Sequence, residues 1–137
     1  MTTDGRHILT SGKLPMIAPD LLTEILASSA DITLLVAPSL RIVSVVVNPA
    51  HRDFGQLADW EGRNLPDILT LESRRKLELR LADLAAGRSA STVELNHGTQ
   101  QSWDFPIRYA MHRVGPEGSL LMLGHDLRPL AEVQQQL

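Results

Sequence analysis

The 137-residue sequence has no cysteine. That absence excludes disulfides, thiolate catalysis, cysteine-ligated zinc and cysteinyl-flavin photochemistry within these residues. Aromatics are scarce, with two Trp, two Phe and one Tyr. Trp60, Trp103, Phe105 and Tyr109 are therefore read as core rather than as a stacking platform for nucleic acid. No strong excess of one charge is present either: the net charge of −3 gives no global attraction to nucleic acid. No apolar run approaches the length of a membrane span, and Met1–Gly12 is too polar for a signal peptide. The expected location is cytoplasmic. No P-loop, G-x-S-x-G or Ser/His/Asp spacing stands out, so a non-enzymatic role is expected.

What is present is a folded composition, 43% hydrophobic, in a chain long enough for one domain with a core of its own. Residues 1–18 read as a mobile arm. Pro19 and Asp20 open a helix over 19–29 with Leu21, Leu22, Ile25 and Leu26 on one stripe. A helix this short is marginal alone, so the stripe docks either on its own domain or across a dimer. Asp31–Ala37 and Arg41–Asn48 read as strands joined by a turn at Pro38-Ser39. The β-branched run Ile42 to Val47 suggests a strand covered on both sides. A helix is expected over Glu72–Ala86, burying Leu77, Leu81, Leu84 and Ala85, supported by a Glu72–Lys76 pair and ended by Gly87. Its Arg74, Arg75, Lys76 and Arg80 are interrupted by acids, as on a solvated face.

Three further strands are expected. Ser91–Asn96 faces Val93 and Leu95 inward. The second has the clearest period in the chain: Trp103, Phe105, Ile107, Tyr109 and Met111 alternate with Asp104, Pro106, Arg108, Ala110 and His112. Pro106 is expected to mark an edge or a bulge. The third is Leu120–Leu123. Of the five histidines, His51 is the nearest to a haem-ligand candidate, His97 is placed in a loop, His112 on a polar face, and His7 and His125 in polar settings.

The segment Trp60-Glu61-Gly62-Arg63-Asn64-Leu65-Pro66-Asp67-Ile68-Leu69 describes a turn feeding a short helix, with Gly62 supplying the unusual backbone. A W-x-G-x-x-L-x-D-I-L segment in an order β-β-α-α-α-β-β-β resembles a PAS domain over 30–128. The implied fold is α+β: a five-stranded antiparallel sheet with helices on one face, a flanking N-terminal helix and, over 129–137, the start of a glutamine-rich linker helix. Asp126-Leu127-Arg128 resembles the exit of such domains. The chain stops in mid-helix and reads as part of a longer protein.

Phe54-Gly55-Gln56-Leu57, Asp59–Arg63, Val93–His97, Phe105–Tyr109, Leu121–Gly124 and Ala131–Gln136 together resemble the N-terminal region of the PpsR/CrtJ repressors of bacterial photosynthesis genes. The resemblance implies an oligomerisation domain that also contacts an antirepressor. DNA would be read only by a C-terminal helix-turn-helix beyond these residues. The expected homo-oligomer interface is Leu21, Leu22, Ile25 and Leu26, joined by Leu130, Val133 and Leu137 at coiled-coil spacing. No cofactor, metal or catalytic residue is expected. The alternative is a haem- or flavin-binding sensor.

Overall fold

The computed structural model describes residues 17–50, 57–88, 91–98 and 104–128. In chain order they form helix α1 (Pro19–Ser29), strands β1 (Ile32–Val36) and β2 (Ile42–Val47), two 3-10 turns (Leu57–Trp60 and Leu65–Ile68), helix α2 (Leu71–Ala85), and strands β3 (Ser91–Gly98), β4 (Asp104–Val114) and β5 (Ser119–Asp126). The strands make one sheet in the order β2-β1-β5-β4-β3, antiparallel at every pairing. The expected α+β architecture is present. Residues 1–16 of the expected arm at 1–18, and the expected linker at 129–137, lie outside the described residues.

Alternation along the strands decides what enters the core. Ile32, Leu34 and Val36 of β1, Val93, Leu95 and His97 of β3, Ile107, Tyr109 and Met111 of β4, and Leu120 and Met122 of β5 are buried. Against this face pack Trp60, Leu65, Ile68 and Leu69 from the helical connection and Leu77 and Leu84 from α2. The side chains of Trp103 and Phe105 are outside the described set. On α2, Leu77 and Leu84 are buried and Leu81 half-buried, but Ala85 is exposed. Glu72 and Lys76 make no ion pair; Asp83 instead takes Arg80 at 3.2 Å and also Arg88.

Two departures from expectation have local causes. Pro106 lies neither on an edge strand nor at a bulge, because β4 is flanked by β3 and β5 and the β3–β4 register runs unbroken through Asn96↔Pro106. Its carbonyl accepts from Leu127 N–H, one residue beyond the end of β5. The missing proline N–H therefore points to where the β5 ladder has stopped, and no ladder bond is lost. The one irregularity lies at β1–β2, where Leu35 pairs with Ser44 and Val36 with Ile42. Val43 is the extra residue and is 54% exposed.

Both sheet edges are partly covered by the chain itself. On β2, Ile42 exchanges hydrogen bonds with Arg63 and Gly62, and Val45 N–H donates to Glu61 Oε1 at 3.1 Å. Gly62 supports this with φ +85. On β3, Asn96 accepts from Thr70 N–H and donates to Ser73 Oγ at 2.7 Å, and Arg80 Nε donates to the Thr92 carbonyl at 3.2 Å. Thr70 also caps α2 by accepting from Ser73 N–H. An unpaired edge invites strand addition; here parts of both edges are occupied.

Packing is tightest at the middle of the sheet. A Cβ added to Gly124 would lie 2.7 Å from Ile107 Cγ2, 2.7 Å from Tyr109 Cε1 and 2.8 Å from Ile32 Cγ2. Gly124→Ala should lower stability by about 1–3 kcal/mol through overpacking. Arg108→Ala, on the exposed face of the adjacent strand, should stay within about 0.5 kcal/mol. Urea unfolding of the two variants checks this ordering.

Candidate functional site

Two features stand out: a buried polar cluster inside the fold and an uncovered apolar surface outside it. The cluster is built on His97, which faces inward from β3 and is 2% exposed. Its Nδ1 lies 3.1 Å from the Ile68 carbonyl oxygen and its Nε2 2.6 Å from Tyr109 Oη. A carbonyl can only accept, so Nδ1 carries the proton and Nε2 accepts from the tyrosine O–H. Trp60 lies over the imidazole with ring centroids 4.5 Å apart, and Tyr109 meets it edge-on at 5.7 Å. Burial pushes the His97 pKa down to about 4, opposed in part by the hydrogen bond to Ile68, and pushes that of Tyr109 well above its usual 10.0. Both groups are held neutral at pH 7.

His97 corrects the sequence reading, which placed it in a loop. The strand continues through His97 to Gly98 because α2 begins against it: a Cβ on Gly98 would lie 2.9 Å from Thr70 Cγ2. Glycine here serves close approach, not termination. The cluster does not suit a haem iron. His97 is the one buried histidine among the described residues, and both its ring nitrogens are already engaged. His51 lies outside the described residues. Among those described, no group of three His, Asp or Glu side chains could hold a metal. No described helix is long and apolar enough to cross a membrane.

The outer surface centres on α1. This helix buries none of its residues, and Leu21, Leu22 and Ile25 are 50%, 43% and 42% exposed. Leu26 is half-buried. α1 lies against β1 and β2 without contributing to the core. The outward positions beside it, including Leu35, Val46, Leu121 and Leu123, are only half-buried. The expected interface residues Leu130, Val133 and Leu137 lie outside the described residues.

Several charged groups are committed locally. Arg74 Nε donates to the Pro66 carbonyl at 2.8 Å, and Arg80 to Thr92 and Asp83, which occupies two of the cations on the basic helix. At the exit of β5, the Asp126 carboxylate is chelated by Arg128 Nε and Nη2, while Asp126 N–H donates to Asp31 Oδ2 at 2.7 Å. Asp31 N–H in turn donates to the Gly124 carbonyl. Entry and exit of the domain are thus tied together.

The depressed imidazole sets a pH dependence. Between its ordinary 6.5 and about 4 the unfolded chain binds a proton that native His97 does not. Stability contributed here is full above pH 6.5, falls through that window and amounts to about 3 kcal/mol. Urea unfolding at pH 7 and pH 4.5 should show a smaller loss for His97→Gln than for the unsubstituted protein. Tyr109→Phe, which removes the donor to Nε2, should cost about 1–3 kcal/mol at pH 7.

No protein-family model matches the chain. CrtJ of Rhodobacter capsulatus is 41% identical over 137 residues, which is 100% of this chain and 29% of CrtJ. The chain therefore spans under a third of that relative's length. Among solved structures, the PAS domain of an HTR-like protein from Haloarcula marismortui superposes with a TM-score of 0.57 at 13% identity, covering 78% of this chain and 89% of that one. A PAS domain from Desulfitobacterium hafniense gives 0.55 at 15%, covering 76% and 99%. The Rhodobacter sphaeroides LOV protein gives 0.56 at 13%, covering 87% and 74%. Identities this low establish the fold alone. By its strand order and superpositions the chain has the PAS fold, and it is similar to CrtJ along every residue.

Proposed function

We propose that this PAS domain is a protein–protein association module of a cytoplasmic transcriptional repressor of photosynthesis genes, joining copies of the repressor and contacting an antirepressor. The observation that carries the reading is the uncovered stripe of Leu21, Leu22 and Ile25 on a helix that buries no residue. Three large apolar side chains on one short helix favour a partner surface.

The route of association follows from what is already occupied. Both sheet edges are partly covered, which disfavours joining by strand addition. The faces remain. α1, the bulged Val43 and the half-buried outward side of β1, β2 and β5 are continuous enough to approach the roughly 1,200–2,000 Å² that a stable interface buries. Leu130, Val133 and Leu137 would add a seam of about one heptad, too short to hold a dimer alone.

A regulatory rather than catalytic role fits the interior. The His97–Tyr109 pair is sealed and neutral, which suits holding the fold together rather than moving protons to a substrate. Reading of DNA is assigned to a C-terminal helix-turn-helix beyond these residues, consistent with the greater length of CrtJ. Arg74 and Arg80 are engaged with backbone carbonyls, which disfavours direct DNA contact by α2.

Light scattering on the unsubstituted protein should give a dimer. The Leu22→Asp, Ile25→Asp double variant should dissociate at concentrations where the parent remains paired. A monomeric parent, or a double variant that dimerises equally tightly, overturns the reading.

A further inference from the structure

A second surface feature is independent of the dimer reading and of the His97 cluster. At one end of the sheet, the C-terminal half of α2, the β1–β2 turn and the β4–β5 hairpin enclose a groove of about 460 Å³. Its walls are apolar: Leu40 from the turn, Leu81 and Ala82 from α2, and Leu120 from β5. Ligand pockets commonly span about 300–1,000 Å³ and combine an apolar lining with few polar groups. The polar side chains here are Arg113 and Glu117.

Arg113 is placed by the register of β4. It lies two residues after Met111 and four after Tyr109, so its side chain leaves the sheet on the core side, opposite Leu120 on β5. Its guanidinium passes 3.6 Å from the position a Cβ on Gly118 would take. Yet Arg113 has no carboxylate partner among the described residues, and Glu117 in the same groove does not pair with it. An exposed guanidinium at the rim of an apolar groove, five donors in a planar fork, suits a carboxylate.

The opposite wall reinforces this. Leu40 has φ +73, the only non-glycine positive φ among the described residues. Its N–H donates to Ala37 and its carbonyl accepts from Leu65 N–H. The strained backbone is thus pinned from both sides and directs a leucine into the groove where glycine is usual.

We propose that this groove binds a small amphipathic monocarboxylate, with its carboxylate on Arg113 and an apolar body of about eight to twelve heavy atoms against Leu40, Leu81 and Leu120. The charges set orientation and valence. The negative end of the α2 dipole adjoins the far wall, so the carboxylate lies at the hairpin end. Glu117 repels a second negative charge and so selects a monoanion over a dianion.

The test uses the whole chain, isotope-labelled, titrated with sodium octanoate and followed by amide chemical shifts. Saturable shifts should centre on residues 38–40, 81–85 and 113–120, with a Kd on the order of 1 mM. Arg113→Gln should weaken binding by about tenfold, and Ala82→Trp, which fills the groove from an exposed helix position, should abolish it. Octanedioate should bind about tenfold more weakly than octanoate. Absence of saturable shifts, shifts centred elsewhere, equal affinity in either folded variant, or octanedioate binding as tightly each overturns the proposal. Should Arg113→Gln fail to fold, Ala82→Trp alone decides.

Discussion

The fold depends on keeping one buried imidazole neutral and fully bonded. His97 accepts from Tyr109 on the neighbouring strand and donates to Ile68 in the helical connection. That connection consists of two short 3-10 turns, which have little internal stability of their own. The layer is held by what it buries, chiefly Trp60, Leu65, Ile68 and Leu69, and by this polar tie to the sheet. An imidazole in such a place is costly if charged or unpaired and orders its surroundings when satisfied. The stack of Trp60 on His97 places an aromatic roof over the pair and excludes water from it.

The same region shows where sequence reading succeeds and where it stops. The period of two through Ile107, Tyr109 and Met111 was legible because each side chain reports its own face of the strand. Leu65, Ile68 and Leu69 were legible because a turn with Pro66 in its first positions has few alternatives. His97 was missed for a physical reason. Its role rests on partners at positions 68 and 109, and nothing local marks a histidine beside a glycine as interior. Gly98 reads as a stop until the start of α2 is seen pressed against it. Pro106 misled in the same way: a proline is costly in a ladder only where a partner carbonyl faces it, and β5 ends before that point.

The candidate surfaces divide along the same line. The α1 stripe is visible as spacing alone, and the structure adds that no residue of it is buried. The Arg113 groove could not be read from sequence, since it joins a turn, a helix end and a hairpin separated by dozens of residues. Partly covered edges and open faces together favour meeting a partner through side chains rather than backbone.

The neighbouring placement of β1 and β5 has a kinetic consequence. These central strands come from opposite ends of the domain, and their pairing brings Ile32 against Gly124. The β3–β4–β5 meander can assemble from nearby residues, but the sheet cannot close through its middle until nearly the whole domain has been synthesised. Loop-closure entropy for that contact is paid late. During translation β1 can pair with β2 at once, but its other edge waits for β5 while some ninety residues follow it out of the ribosome. The sheet therefore closes only at the end of the domain's own synthesis, when the β1–β2 hairpin meets β5.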